Sequence, residues 1–264
     1  LKMFLAAELS GKSDELEKFK TFSQRKGKFP DGTFGEKLLK KMESQKDLIL
    51  EKIGPEKVQE IKDSWSYQTK IQDLQLSRTD GTKWNLSGSL DWCNHKDVEN
   101  ITEMIVVSAS TSDKLKFSKW MGPYIKALAI LASQKGNEPK KIDIEFYNCC
   151  TDLNKMRPWK ASVSLTPKEA IETLEQIYLK AFGNEQYLPY SKSVPADLLD
   201  DDKIKDLFDY RDKIKDCWKY FGKKALFDPL RDTGFTNLDF MTQWEEAKST
   251  MKNLMKIEIE DEKK

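Results

Sequence analysis

The sequence predicts an α/β (α+β) fold in which a mixed β-sheet is flanked by helices. Two kinds of periodicity support this class. Apolar residues recur at helical spacing in the first part of the chain and in several later segments, whereas residues 83–92 alternate between apolar and polar side chains, as in a half-buried strand. We expect a helical lead-in over residues 1–72 and one domain over residues 73–264.

The first predicted elements follow from local stop and turn signals. The lead-in is strongly charged and carries a loose apolar stripe that ends at Gly54, which is followed by proline. A turn signal at residues 78–82 (RTDGT) precedes the alternating strand, and residues 102–107 (TEMIVV) are expected to form the next strand.

Later elements are predicted in the same way. Pro123 suits the first position of a helix that runs to about Ser133, because proline lacks the N–H that the first helical turn leaves unpaired. Residues 141–149 and 160–165 are expected to be strands. Thr166 begins a capping box (TPKE) with proline at the first helical position, followed by a helix that stops at Gly183. Further helices are predicted for residues 196–222 and 244–257.

Composition narrows the classes of function. With 38% hydrophobic and 34% charged residues, and no apolar run of bilayer length, a membrane role is not expected. The 45 Lys+Arg and 44 Asp+Glu residues leave a net charge of +1, so any contact with DNA must be local. Four cysteines without CxxC spacing are interpreted as reduced thiols of a cytoplasmic protein. The chain opens on Leu1 without methionine, which indicates a fragment of a longer protein.

The segment GSLDW, residues 88–92, raises the question of metal-dependent chemistry, because it ends a predicted strand on Asp91. In nucleases of the PD-(D/E)xK type, a strand-end acid and a carboxylate on the next strand hold Mg²⁺, and a lysine two residues later orients the attacking water. Here Ser108 stands at the carboxylate position and Ser110 at the lysine position. A hydroxyl supplies neither charge. The sequence therefore predicts a degenerate site with no catalytic residue, no metal and no cofactor.

Other acids leave an active nuclease open as an alternative. Asp143 and Glu145 share one strand face, although Tyr147 follows where a lysine is needed. The simpler interpretation of this pair is a solvated strand face, and that of Asp91 is a strand-end acid bonded to backbone N–H groups. His95, the only histidine, has no evident partner in the sequence and is expected at the surface.

Four segments in order carry a resemblance to a known family. They are residues 26–42 (KGKFPDGTFGEKLLKKM), residues 86–92 (LSGSLDW), residues 123–133 (PYIKALAILAS) and residues 164–190 (SLTPKEAIETLEQIYLKAFGNEQYLPY). In order and spacing they resemble the C-terminal region of the RecC family, the gamma subunit of exodeoxyribonuclease V, the bacterial RecBCD helicase–nuclease. The resemblance spans nearly the whole chain from about residue 26. It implies a nuclease-like fold that has lost its catalytic residues.

The resemblance implies a role rather than a reaction. The chain would be a non-catalytic part of a heterotrimer, binding the RecB and RecD subunits and guiding a separated DNA strand in homologous recombination and double-strand break repair. ATP hydrolysis and strand cutting would belong to the partners, and the chain has no Walker A sequence. No small-molecule substrate is expected. Lys114, Lys116 and Lys119 are candidates for contact with DNA phosphates.

Two other classes of function stay open. The first is an active Mg²⁺-dependent nuclease that combines Asp91 with Asp143 or Glu145. The second is a protein-binding module unrelated to DNA, which the neutral charge balance allows.

Overall fold

A computed structural model gives the fold of residues 32–77, 81–109, 117–149, 158–182 and 256–259, with the single positions 5, 8, 9, 18, 21, 205, 241, 242, 244, 245 and 249. These are the described residues. The four α-helices within the continuous ranges are α1 (Thr33–Ile53), α2 (Pro55–Ser64), α3 (Phe117–Ser133) and α4 (Pro167–Phe182), and a short 3₁₀ helix spans Val98–Asn100. The strands are β1 (Ser66–Tyr67), β2 (Lys70–Ser77), β3 (Lys83–Ser89), β4 (Trp92–Cys93), β5 (Glu103–Ala109), β6 (Lys140–Cys149), β7 (Pro158–Leu165) and β8 (Glu258–Ile259).

The strands form two sheets. Six of them lie in the order β1-β4-β5-β6-β7-β8, and β2 and β3 make a separate two-stranded sheet. β5 and β6 pair in parallel, whereas their outer neighbours pair antiparallel. A parallel pair needs a crossover connection, and α3 lies within it. The predicted class, a mixed sheet flanked by helices, is confirmed.

Helices cover both faces of the larger sheet because successive strand residues point to opposite sides. On one face α3 and α4 pack on a large apolar core, in which the Trp120 and Phe146 ring centroids lie 5.5 Å apart. On the other face α1 and α2 contribute Ile49 and Ile61 to a second core. The strand residues of the first core include Met104, Val106, Ile142, Ile144 and Phe146, and those of the second include Trp92, Ile105, Val107 and Tyr147.

The β2–β3 hairpin packs beside α3 and α4 and contributes to the first core. Its register shifts between Ile71 and Leu74, where Asp73 has a positive φ of 55° and donates its N–H to Ser87 Oγ at 3.2 Å. The end of β2 is tied to α4, because the Ser77 N–H donates to Glu175 Oε1 at 2.6 Å. The hairpin thus closes one side of the helical layer.

The helix around Pro123 differs from the prediction. It begins at Phe117, so that Pro123 lies inside it, and it ends at Ser133 as expected. A proline inside a helix removes one backbone hydrogen bond and costs about 3 kcal/mol. Tyr124 and Leu128, which follow it on the buried face, are fully buried, and this packing offsets the lost bond.

The capping box is confirmed in detail. Thr166 donates its N–H and its hydroxyl to Glu169 Oε2 at 2.8 and 2.9 Å, and the Glu169 N–H donates to Thr166 Oγ1 at 3.2 Å. The backbone and hydroxyl bonds from Thr166 hold the pKa of Glu169 below its usual value. The helix runs to Phe182, and the predicted stop at Gly183 lies outside the described residues.

The structure places a strand inside the predicted helical lead-in and another directly after the last predicted helix. The sheet begins at Ser66, inside the predicted lead-in, since β1 pairs with β4. The predicted helix over 244–257 is helical at the described positions Trp244, Glu245 and Ser249, but Lys256 and Ile257 are not helical and β8 follows, paired with β7. The predicted helix over 196–222 lies outside the described residues except for Lys205, which is not helical.

Within the described ranges, no helix combines the length and the apolar character needed to cross a bilayer.

Candidate functional site

Asp91 lies in the short connection between β3 and β4, at a strand end as the sequence predicts. The backbone on both sides of Asp91 is held by hydrogen bonding and strand pairing. The Leu90 N–H donates to the Thr69 carbonyl oxygen at 2.8 Å, and Trp92 pairs in register with Ile105 of β5. Leu90, Asp91 and Trp92 are all buried. The acid is therefore fixed beside the strand that carries Ser108.

The Asp91 carboxylate forms an ion pair with a lysine of α3. Lys126 Nζ lies 2.6 Å from Asp91 Oδ2, a short, charge-assisted hydrogen bond. The Asp91 side chain is only 9% exposed and that of Lys126 is 30% exposed. The expected partners of Asp91 were backbone N–H groups, whereas this contact is an ion pair between a strand end and a helix.

Sequence reasoning missed Lys126, although a signal for it exists. It is the one charged residue in the run from Trp120 to Gln134, which is otherwise apolar or small and neutral. The neighbours Tyr124, Ala127 and Leu128 are fully buried. A single lysine inside such a run has part of its stem covered and needs an anionic partner within reach of its ammonium.

Cys93 adds a neutral group to the same site. It is fully buried, and its Sγ lies 3.9 Å from the Asp91 carbonyl oxygen. Burial, and secondly the negative charge of Asp91, raise the pKa of this thiol to about 12, while Lys126 acts in the opposite direction. The thiol is thus protonated at neutral pH and contributes no charge to the ion pair.

Of the two serines at the degenerate positions, only Ser108 lies within the described residues. Ser108 lies in β5, and its Cα pairs in register with Asn148 of β6. Ser110 lies outside the described residues. Its role as the replaced lysine position stays a prediction.

The predicted DNA-contacting lysines are likewise not brought together by the described part of the chain. Lys114 and Lys116 lie outside the described residues, and the backbone of Lys119 belongs to the first turn of α3. Their contact with phosphates stays a prediction.

The alternative acids lie on the opposite face of the sheet from Lys126. Ile144 and Phe146 belong to the α3 core, so the intervening Glu145 points to the face of α1 and α2. Glu145 Oε2 accepts a hydrogen bond from the Tyr147 hydroxyl at 3.0 Å. Burial, together with the charge of Glu145, raises the pKa of Tyr147. This acid therefore supports a buried tyrosine.

Asp143 is occupied in a similar way at the surface. Its Oδ1 lies 2.8 Å from Lys141 Nζ, with both side chains more than half exposed. It shares the strand face of Glu145, as predicted, and that face is turned away from α3. The structure does not bring Asp143 or Glu145 into one site with Asp91.

Glu103, at the start of β5, contacts α2. Its Oε2 lies 2.9 Å from Lys57 Nζ, and the same ammonium lies 4.6 Å from the centroid of the Trp65 ring. Burial alone would lower the pKa of Lys57, but hydrogen bonds to Glu103 and Glu60 outweigh it and the pKa is raised. The cluster fastens a helix to the sheet.

His95 is exposed, as predicted, and its Nδ1 accepts the Asp97 N–H at 3.0 Å. The ring thereby supports the turn before β5. The partner that was not evident from the sequence is thus a local backbone group.

A divalent metal does not fit the residues around Asp91. The ammonium of Lys126 already contacts Oδ2. Across the described ranges, no three His, Cys, Asp or Glu side chains come together in a way that could hold a metal ion. Hard cations such as Mg²⁺ require several oxygen ligands, of which carboxylates supply the charge.

Comparison with protein-family models, with curated proteins and with solved structures finds no match for this chain. Function is therefore inferred from the chain's own residues and their geometry, together with the resemblance of the four segments given in the sequence analysis.

Proposed function

We propose that this chain is a non-catalytic, nuclease-like domain, the C-terminal part of a RecC-type gamma subunit. It helps assemble a cytoplasmic helicase–nuclease with RecB and RecD and guides a separated DNA strand during double-strand break repair. The proposal assigns no substrate turnover, metal or cofactor to the chain itself. Strand cutting and ATP hydrolysis belong to the other subunits.

The observation that carries the proposal is the pairing of Asp91 with Lys126 at 2.6 Å. Asp91 stands at a strand end, where a nuclease of this type places its first metal ligand. Its carboxylate contacts an ammonium, and β5, the strand that pairs with β4, has Ser108 where the second carboxylate is needed. A strand-end acid held in this way is suited to holding a helix against the sheet, which supports a structural role.

An active nuclease is the second candidate, and the geometry around Asp91 is evidence against it. That candidate needs Asp143 or Glu145 to share a metal with Asp91. Both acids point to the face of α1 and α2, whereas Asp91 contacts α3 on the other face. Two carboxylates on opposite faces of one sheet cannot bind the same ion.

The test is co-expression of the chain with RecB and RecD, followed by affinity purification through a tag on the chain. We expect a stable complex with both partners. The purified chain alone should leave labelled linear DNA intact in Mg²⁺ or Mn²⁺. Asp91→Asn is the matched variant for the nuclease assay, because it keeps the side-chain shape and removes the charge.

Two results would contradict the proposal. Recovery of the chain without either partner would remove the assembly role and favour a protein-binding module unrelated to DNA. Degradation of DNA by the chain, abolished by Asp91→Asn, would show that it is an enzyme.

A further inference from the structure

We infer that Lys126 is the built-in cation of the strand-end site, and that its ammonium takes the charge-balancing place of a divalent metal and excludes one. The inference deepens the proposed function and rests on the nuclease-like interpretation of Asp91. It gives a physical reason for expecting no metal at this site.

The first step is the charge of Asp91. Its side chain is 9% exposed, and a carboxylate that has lost most of its water needs a counter-charge close by. Two kinds of cation can provide one: a metal ion or a basic side chain. The 2.6 Å contact with Lys126 Nζ provides the second kind, and Cys93 beside it is neutral.

The second step is competition for one oxygen. Mg²⁺ binds carboxylate oxygens at about 2.0–2.1 Å and demands near-octahedral geometry. An ion at that distance from Asp91 Oδ2 would lie close to the ammonium that already contacts the same atom. Repulsion between the two cations at such a separation is large when both are partly shielded from water. The ion pair and the metal therefore exclude each other.

The third step is the position of Lys126 on a rigid element. Tyr124, Ala127 and Leu128 of α3 are fully buried, and the Tyr124 hydroxyl accepts the Lys256 N–H at 3.1 Å. The helix is thus fixed on both sides of Lys126. A swing of the ammonium away from Asp91 would have to come from the lysine side chain alone, which is 70% covered.

The experiment measures the thermal midpoint of the purified chain with and without MnCl₂ or MgCl₂. The wild type and Lys126→Arg should show no specific shift. Lys126→Met keeps the apolar stem but removes the charge, so its midpoint should fall by several degrees, because the buried Asp91 carboxylate then lacks its counter-charge. The double variant Asp91→Asn/Lys126→Met removes both charges and should regain part of that loss.

Each outcome decides the matter. A Mn²⁺ shift in the wild type that Asp91→Asn abolishes would overturn the inference, because the metal would then bind despite Lys126. A Lys126→Met variant with the midpoint of the wild type would also overturn it, since Asp91 would then not depend on the ammonium as its counter-charge. If Lys126→Met does not fold, the double variant Asp91→Asn/Lys126→Met is measured instead: a folded double variant supports the inference, and one that also fails to fold contradicts it.

These results are separable from those for the proposed function. Co-purification with RecB and RecD does not depend on whether a metal replaces Lys126. A failure of either test therefore points to one statement only.

Discussion

The indole of Trp84 in β3 stacks on the phenol ring of Tyr178 in α4, with ring centroids 3.7 Å apart and planes inclined by 25°. The two residues lie on elements far apart in the chain, and this contact fastens the separate hairpin to the helical layer. Trp84 Nε1 is buried and makes no hydrogen bond to the described part of the chain. The stability of the contact therefore comes from the rings themselves.

We expect Trp84→Ala to lower the free energy of unfolding by about 3 kcal/mol, because it removes both the apolar area and the stacked pair. Trp84→Phe is the matched control. It keeps an aromatic ring and gives up no hydrogen bond within the described residues, so its cost should be clearly smaller. Urea denaturation measures both. Equal losses for the two variants would contradict the stacking interpretation.

The capping box of α4 predicts a pH-dependent contribution to stability. The pKa of Glu169 is lowered chiefly by the backbone bond from Thr166, so its contribution is present above the unfolded pKa and is lost as the pH falls through the folded pKa. Thr166→Ala should cost about 1 kcal/mol at neutral pH. Below about pH 4 the difference from wild type should shrink.

Thr166→Ser retains a hydroxyl at the cap and serves as the control for this prediction. Denaturation midpoints at neutral and acid pH give the comparison. A cost for Thr166→Ala that stays constant across this range would show that Glu169 takes no part in the cap.

Cys93 predicts a loss of stability in alkali. Burial and the nearby Asp91 raise its pKa to about 12, above the ordinary thiol value of 9.0. A group with a raised pKa contributes stability that is complete below the unfolded pKa and is lost as the pH rises towards the folded one. We therefore expect the wild type to lose stability between these two values, and Cys93→Ala to lose less.

The same thiol should resist alkylation in the folded protein at pH 8, because only the thiolate reacts. Mass spectrometry of the peptide that contains Cys93 would measure this. Lys126→Met should slow the reaction further, since the lysine lowers the pKa of the thiol. Rapid labelling of Cys93 in the native wild type would contradict its burial.

The Lys57–Glu103 contact predicts a small, salt-sensitive link between α2 and β5. The side chains are 26% and 44% exposed, so Glu103→Gln should cost about 0.5 kcal/mol at low ionic strength. Glu99→Gln is a matched control, because its partner Lys135 is 82% exposed and the cost should be nearer zero. Both costs should shrink in 1 M salt, where the Debye length is about 3 Å.

Much of the fold was predictable because local signals decide it. The capping box at Thr166 and the helix stop at Gly54 depend on neighbouring residues alone, and both are confirmed. The predicted start of α3, at Pro123, was wrong. Packing of the buried face of the helix outweighs the local preference of proline for a first turn. β8 was missed because a two-residue strand has no periodicity of its own and depends on pairing with β7.

Of the two residues that form the candidate site, only Asp91 could be predicted from the sequence. Asp91 follows an alternating strand and could be placed at its end. Lys126 lies 35 residues further along, and no sequence pattern specifies that α3 turns this residue towards that strand end. The face on which Asp143 and Glu145 lie likewise became clear only from the core that Ile144 and Phe146 join.

The pairing of β8 with β7 also affects the time at which the chain can complete its fold during synthesis. Ala161 and Ser162 pair with Ile259 and Glu258, and Lys256 donates its N–H to the Tyr124 hydroxyl. At ribosomal rates of about 5–20 residues per second, the outer edge of β7 waits for roughly 5–20 s before its partner strand is made. During that interval β7 has an unpaired edge, and an unpaired edge favours association with the strands of other chains when the local concentration is high.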